Sequence, residues 1–170
     1  MEDLESRTTL RFDVRASPIG DLTLYTHQDG ALAAIDFGSR PVQANARRDV
    51  GACAAARRQL EEYFAGKRRT FTLALRPLGS PFQQQVWKAL LEIPFGTTTS
   101  YGEIARRLGP GTSARAVGSA NGANPIPIVI PCHRVIGANG SLTGYGGGIS
   151  RKAKLLELEN AGPVQGALRY

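Results

Sequence analysis

The decapeptide at 124–133, N-P-I-P-I-V-I-P-C-H, limits what this chain can fold into more than any other stretch. Its three prolines fix φ and bias each preceding residue toward an extended backbone. The apolar run at 128–130 therefore predicts a short buried strand, which delivers Cys132 at its end. A rigid apolar lead-in would hold a thiol at a fixed place inside a pocket. These residues alone also fit a purely structural cysteine.

The 170 residues are enough for one domain, or for two small ones, with a real hydrophobic core. No apolar run approaches the roughly 20 residues that span a bilayer, and the acidic N-terminus lacks the apolar core of a secretory signal. Cys53 and Cys132 are the two cysteines of the sequence, so a disulfide framework is not expected. We therefore predict a cytoplasmic protein with reduced thiols and no membrane association.

The formal net charge of +7 is concentrated in the second half of the chain. Residues 1–80 carry twelve basic side chains against ten acidic ones, whereas residues 100–154 carry seven against a single acid. Solvated surface charge could produce this pattern, but contact with a phosphate backbone explains the asymmetry better. The positive region surrounds Cys132, which predicts a nucleic-acid partner for that half.

The first half has the pattern of a scaffold. Alternation of apolar and polar residues predicts strands over 9–14, 22–25 and 31–37, and helical spacing predicts a helix over 50–64 with Cys53 on its core side. A further strand is predicted over 70–75. Two prolines and a glycine at 76–81 indicate a boundary. We thus predict an N-terminal scaffold domain at 1–78 and a C-terminal domain at 79–170.

The second half predicts a helix-turn-helix unit. After a helix at 81–92, a helix over 101–108 ends at Gly-Pro-Gly, and a second begins after Thr112 or Ser113 and runs to about residue 121. In such units the early residues of the second helix face a DNA groove, and Arg115 is its one long cationic side chain there. Many helix pairs share this pattern and bind nothing, so a solvated arginine is the alternative.

Beyond the thiol, three further features stand out. The Asn-Gly pair at 139–140 lies between extended segments and predicts a small hairpin wing. The run G-Y-G-G-G at 144–148 lets backbone amides approach a ligand closely, unless it is only a flexible loop. A helix over 151–160 places Glu159 in its last turn, where the macrodipole disfavours a carboxylate. His133 is the predicted partner of that carboxylate.

The motifs I-P-I-V-I-P-C-H-R-V-I-G, G-Y-G-G-G and L-L-E-L-E together resemble the O6-alkylguanine-DNA alkyltransferases, over about 81–162. The resemblance implies an α/β (α+β) fold: an RNase H-like N-terminal domain of strands and a helix, and a C-terminal helix-turn-helix domain that is winged-helix-like. It implies a repair protein that flips O6-alkylguanine out of duplex DNA, mainly O6-methylguanine and also O4-methylthymine. The alkyl group then moves irreversibly to Cys132, so each protein molecule acts once.

The same resemblance implies the roles of individual residues. Cys132 is the alkyl acceptor, and His133 is the base that activates it through a water. Glu159 orients the histidine, and Asn124 ties the recognition helix to the active-site segment. No cofactor and no metal are implied, because members with structural zinc use N-terminal cysteines and histidines that this chain lacks.

On the DNA side, the resemblance implies that Tyr101 helps rotate the nucleotide at its phosphate and that Arg115 fills the vacated base stack. Tyr145 and Gly147 belong to the loop that closes over the flipped base. Gly146 is a departure, because some members carry a serine there that donates a hydrogen bond to the base. Double-stranded DNA containing alkylated guanine is the expected partner of a protein that is monomeric in solution, with cooperative binding on DNA left open.

General chemistry agrees with these roles. A thiol with an ordinary pKa near 8.5 needs a base and a positive setting at neutral pH, and O6 of a stacked guanine is reached only after base flipping. Because adjacent residues on a strand point to opposite faces, a water is expected between Cys132 and His133. A non-enzymatic alkyltransferase-like lesion-binding protein is the main alternative, but that class lacks the acceptor cysteine. A cysteine hydrolase would not need the helix-turn-helix, and a transcription regulator would not need the thiol.

Overall fold

The structure is a computed structural model that describes residues 9–38 and 40–161. Over these residues the chain packs as two compact units, divided along the sequence between Leu78 and Gly79. Within the same ranges, no helix combines the length and apolar character needed to cross a membrane.

The first unit is a sheet with one helix against it. Its described strands follow the order β3-β2-β1-β4, in which β1 pairs antiparallel with β2 and parallel with β4. The central strand β2 is buried along its whole length, because the sheet and the helix cover it. The elements are β1 (Leu10–Arg15), β2 (Leu22–Thr26), β3 (Leu32–Phe37), β4 (Ala46–Arg48) and α1 (Ala54–Phe64).

Cys53 immediately precedes α1 and is fully buried. Its Sγ lies 3.8 Å from Oγ1 of Thr26 and 3.7 Å from the carbonyl oxygen of Leu24. Burial raises the pKa of this thiol, which disfavours the reactive thiolate. The prediction that Cys53 is a core residue is confirmed.

The three strands predicted from alternation are confirmed, but the strand predicted over 70–75 is wrong. That segment makes a single bridge, between Leu75 and Leu32. The backbone amide of Thr72 donates instead to Oε1 of Gln59 at 2.9 Å, and Nε2 of Gln59 donates to the Thr72 hydroxyl at 2.9 Å. A buried side chain of α1 thus satisfies the backbone that a neighbouring strand would otherwise bind.

The second unit is mainly helical. Ser80 begins its first helix through a capping box with Gln83, and Trp87 donates from Nε1 to the carbonyl of Ala120 at 2.9 Å, which joins two of the helices. The elements are α2 (Pro81–Leu91), β5 (Thr99–Ser100), α3 (Tyr101–Leu108), α4 (Ala114–Gly122), a 3₁₀ turn (Cys132–Arg134), β6 (Val135–Ile136) and α5 (Ile149–Leu158).

Helices α3 and α4 form the predicted helix-turn-helix. Ser100 and Ser113 cap them, because each side chain accepts a hydrogen bond from the amide three residues on. The turn between them needs glycine, because Gly109 and Gly111 have φ of 110° and 84°. The predicted bounds of both helices hold to within one residue.

The strand predicted over 128–130 is wrong. Ile128 has φ of 75°, and the amide of Ile130 donates to the carbonyl of Ile126 at 2.9 Å, so the segment is a turn. Three prolines remove the backbone donors that a strand ladder requires, and local turn hydrogen bonds replace it. The four β-branched side chains are nonetheless buried, and they hold the turn in the core.

The predicted hairpin wing is correct only at its turn. The amide of Gly137 donates to the carbonyl of Ser141 at 2.8 Å across the Asn139-Gly140 corner. Residues 141–143 do not continue as a strand. Strand β6 pairs instead in parallel with β5, at the start of α3, which ties the thiol segment to the helix-turn-helix.

Candidate active site

Cys132 opens the 3₁₀ turn and is buried. It does not lie on a strand as predicted, so the argument that Cys132 and His133 point to opposite faces of a strand does not apply. Burial raises the pKa of the Cys132 thiol to about 11, although Asn124 and the charge of Lys152 act in the opposite direction. The resting sulfur is therefore a thiol that needs a proton acceptor.

Asn124 clamps the turn that precedes the thiol. Its Nδ2 donates to the carbonyl of Ile130 at 2.8 Å, and its Oδ1 accepts from the amide of Ile126 at 3.0 Å. Both halves of the amide are thus used to close the turn. The same side chain lowers the pKa of the Cys132 thiol, so turn geometry and thiol environment depend on one residue.

His133 is fully buried and bound to Glu159. Its Nε2 lies 2.6 Å from Oε2 of Glu159, while its Nδ1 has no hydrogen-bond partner within the described residues. Because a carboxylate only accepts, Nε2 carries the proton of a neutral ring and Nδ1 holds the lone pair. The pair that the sequence predicted is therefore formed, and its free nitrogen is a proton acceptor.

Arg134 shares the same carboxylate. Its Nε donates to Oε1 of Glu159 at 2.7 Å, its Nη2 donates to Oε2 at 3.1 Å, and its Nη1 donates to the carbonyl of Ile93 at 2.7 Å. The guanidinium also lies 5.7 Å from the centre of the Phe95 ring. Arg134 is one of the seven basic side chains of residues 100–154, whose concentration predicted a nucleic-acid partner, and the structure buries it.

The surroundings of Glu159 and His133 set their protonation states. Burial alone would raise the pKa of Glu159, but the hydrogen bonds and charges of His133 and Arg134 outweigh it and lower that pKa to about 2. Burial lowers the pKa of His133, the carboxylate raises it in part, and the charges of Arg134 and Lys152 lower it further. Glu159 is thus ionised and His133 neutral at neutral pH, which suits a base.

Lys152 is the functional candidate that the sequence reading missed. It is fully buried, and its Nζ donates to the carbonyls of Val135 at 2.6 Å and Thr143 at 3.0 Å. Burial lowers its pKa to about 8, so the ammonium stays largely charged close to Cys132. The sequence did contain a signal that Lys152 is buried. It lies three and four residues before Leu155 and Leu156, so all three share the core-facing side of α5.

Two of the residues predicted to meet DNA, Tyr101 and Arg115, lie on the helix-turn-helix. Arg115 is exposed at the second position of α4. Tyr101 opens α3 with its ring against α4 at Gly118, and its hydroxyl donates to the carbonyl of Thr143 at 3.0 Å. Tyr101 thus contacts the segment that leads into the glycine-rich loop, whereas Arg115 stands apart from the buried cluster.

The glycine-rich loop follows Thr143. Tyr145 is half-buried and Gly147 is buried, with its carbonyl accepting from Nη1 of Arg151 at 2.9 Å. At Gly146 a Cβ would stand 3.9 Å from the carbonyl oxygen of Gly122, an ordinary contact. The loop therefore lies against the C-terminal end of α4, and the backbone has room for a side chain at Gly146.

The second unit thus combines a buried thiol, a neutral histidine that an ionised carboxylate binds, and a helix-turn-helix. This combination is typical of a DNA-binding protein that carries its own nucleophile. Family models agree with this class. Residues 81–161 match the 6-O-methylguanine DNA methyltransferase DNA-binding domain, and residues 10–77 match the ribonuclease-like domain of the same family.

Whole-chain relatives give the same result. A methylated-DNA–protein-cysteine methyltransferase of Mycobacterium tuberculosis is 54% identical over 147 residues, which cover 85% of this chain and 89% of the relative. One from Methanosarcina barkeri is 47% identical over 152 residues, or 87% and 96% of the two chains. A crystal structure of Mycobacterium tuberculosis OGT in complex with DNA aligns with a TM-score of 0.83 at 49% identity, over 93% of this chain and 99% of that one. The chain belongs to the 6-O-methylguanine DNA methyltransferase family.

Proposed function

We propose that this chain repairs DNA by moving the alkyl group of O6-alkylguanine onto Sγ of Cys132. Its class is methylated-DNA–protein-cysteine methyltransferase, and DNA is its partner. The observation that carries the residue assignment is the buried Cys132 that adjoins a His133–Glu159 pair with its acceptor nitrogen, Nδ1, unpaired within the described residues. This arrangement supplies a nucleophile and a base from two adjacent residues of the chain.

The reaction balances within this site. His133 takes the thiol proton on Nδ1 through a bridging water, and the Cys132 thiolate attacks the alkyl carbon. The carbon–O6 bond breaks and its electron pair stays on the guanine. N1 of the base then takes up one proton to restore N1–H, and His133 releases the one proton that it took from the thiol. The product thioether offers no activated bond to water, so one protein molecule is consumed per lesion.

Glu159 and Arg134 support this proton transfer by position. Glu159 holds the Nε2–H of His133, so that the lone pair on Nδ1 stays available, as the acid does in other triads. Arg134 keeps that carboxylate ionised through two hydrogen bonds. Lys152 places a positive charge near the sulfur, which favours the thiolate during attack.

The DNA side of the site is assigned to the remaining predicted residues. Tyr101 rotates the nucleotide at its phosphate, Arg115 fills the vacated stack, and Tyr145 with Gly147 closes over the flipped base. The exposed position of Arg115 and the contact of Tyr101 with Thr143 support these roles. Flipping is required because the alkyl carbon is inaccessible within the duplex.

We assign the scaffold role to residues 1–78 and the DNA-binding alkyltransferase role to residues 79–170. The substrate is mainly O6-methylguanine, with O4-methylthymine as a second lesion of the same chemistry. A cytoplasmic location is part of the proposal, and two free buried cysteines support it.

Intact-mass measurement after incubation with a duplex containing one O6-methylguanine tests the proposal. We expect one added methyl per protein, on the peptide that contains Cys132, and no reaction beyond one equivalent. Cys132→Ser should gain no methyl while still binding the duplex, and Cys53→Ala should react as the wild type does. Binding of the lesion by the wild type without any mass gain would indicate the lesion-binding alternative and refute the transfer.

A further inference from the structure

The backbone of Ile128 has a conformation that β-branched residues rarely adopt. Its φ of 75° lies in the left-handed region, where a Cβ comes too close to the following carbonyl oxygen. The amide of Val129 donates to the carbonyl of Pro127 at 2.9 Å, so Ile128 is the central residue of a three-residue γ-turn. A positive φ at that residue makes it the rare and strained form of the turn.

The surrounding structure holds Ile128 in this strained turn. Its side chain is fully buried. The turn is also closed from both ends, because the amide of Ile130 donates to the carbonyl of Ile126 at 2.9 Å and Nδ2 of Asn124 donates to the carbonyl of Ile130 at 2.8 Å. A change of Ile128 to negative φ would take its side chain out of the core. Burial of that side chain therefore offsets the backbone strain.

The strained turn is connected to the acceptor sulfur by a short segment without free amides. The amide of Cys132 donates to the carbonyl of Ile130 at 2.8 Å. This bond spans Pro131, whose φ of −81° and ψ of 63° correspond to the common, unstrained γ-turn. The amides of residues 129, 130 and 132 thus all donate within the segment, and proline has none. A rotation of the backbone at Ile128 therefore displaces Cys132.

We propose that Ile128 is a positioning residue for alkyl transfer, because its strained γ-turn, held by the burial of its side chain, sets the place of the Cys132 sulfur. The inference rests on the proposed transfer to Cys132 and concerns the backbone that presents the thiol. The alkyl carbon has to lie about 3–3.5 Å from the sulfur, and a displacement of about 1 Å can lower the rate about 100-fold. The turn therefore acts on the rate of transfer and not on the binding of DNA.

The test compares glycine with alanine at residue 128. Both remove the side chain that holds the turn, but glycine adopts positive φ about as readily as negative φ, whereas the Cβ of alanine disfavours it. Single-turnover rates are measured at saturating duplex O6-methylguanine. We expect Ile128→Gly to react about threefold to fifteenfold faster than Ile128→Ala, since more of its molecules keep the turn. The Kd for the duplex should be the same for both variants.

A residue that only fills the core would give the opposite order, because glycine leaves the larger cavity and the more flexible chain. Ile126 supplies the matched control, since it is equally buried and does not have a positive φ. There we expect Ile126→Ala to react at least as fast as Ile126→Gly. An Ile128→Ala variant as fast as Ile128→Gly would overturn the inference, and so would a faster glycine variant at both positions.

Hydrogen exchange in the wild type tests the turn independently of how well the variants fold. The amide of Val129, which closes the γ-turn, should exchange as slowly as the amides of the core helix α2. Exchange at the rate of a surface loop would show that the turn is not held, and would overturn the inference. Failure of the proposed function is distinct, because the wild type would then gain no methyl on Cys132.

Discussion

The strongest prediction concerns Glu159→Gln, which removes the negative charge that His133 and Arg134 share. Since the pKa of Glu159 falls from an ordinary 4.5 to about 2, and a tenfold change in a protonation equilibrium corresponds to about 1.4 kcal/mol, the ionised group stabilises the fold by about 3 kcal/mol. Removing one partner of a buried ion pair costs about 3–5 kcal/mol, because the other charge is left uncompensated. The two values agree, so we expect a loss of about 3 kcal/mol.

The assay is urea unfolding at neutral pH, followed by fluorescence. Trp87 is the single tryptophan of the sequence and is buried in the second unit, so its signal reports on the unit that contains Glu159. The difference in unfolding free energy between wild type and variant should have its full size above about pH 4.5, the ordinary pKa of the carboxyl. Because the folded pKa is depressed, the difference should shrink as the pH falls toward 2.

A double variant sharpens the prediction. Arg134→Met combined with Glu159→Gln removes both charges, and we expect it to be more stable than Glu159→Gln alone. A loss of less than about 1 kcal/mol in Glu159→Gln, a value typical of a surface ion pair, would contradict the buried ion pair as a source of stability. A double variant less stable than Glu159→Gln would contradict it as well, since Arg134 would then not depend on the carboxylate.

Three further predictions concern DNA binding and the thiol. Arg115→Ala should slow transfer from duplex O6-methylguanine more than reaction with free O6-benzylguanine, because the proposed role of its exposed side chain is to fill the base stack of duplex DNA; equal losses would remove that role. DNA affinity should fall steeply with salt, because basic side chains that bind phosphates release counterions from the DNA, whereas a flat response would contradict the predicted phosphate contacts. Lys152→Met should move the rate–pH profile to higher pH, because the buried cation lowers the pKa of Cys132; an unmoved profile would show that Lys152 supports only the backbone.

The elements that the sequence predicted well are those that local signals define. Serine caps begin α2, α3 and α4, and glycines end the first helix of the helix-turn-helix. These signals act within one turn of the helix, so their meaning does not depend on distant residues. The pairing of His133 with Glu159 was predicted as well, because a carboxylate at the C-terminal end of a helix indicates a cationic or hydrogen-bonding partner.

Other features were decided only by the tertiary structure. In these, a group distant in sequence provides the hydrogen bonds or the burial that set the local conformation or charge. The backbone of Thr72 hydrogen-bonds the side chain of Gln59, whereas the sequence predicted that it would pair with a strand. Ile128 lies in a turn among the prolines at 125, 127 and 131, whereas its propensity predicted a strand. Arg134 and Lys152 show the same for charged residues. Both were counted in the basic segment, and both are buried in the folded protein, where DNA does not reach them.

By itself the sequence determined which chemistry this chain carries: one cysteine in the P-C-H-R-V motif, a histidine beside it, and a helix-turn-helix in a basic segment. The fold decided how those groups are charged. A guanidinium brought from one turn and a carboxylate brought from the end of α5 meet in the core, and their hydrogen bonds keep Glu159 ionised and His133 neutral. Protonation states depend on burial and on neighbours in space, and both are set only when the chain has folded.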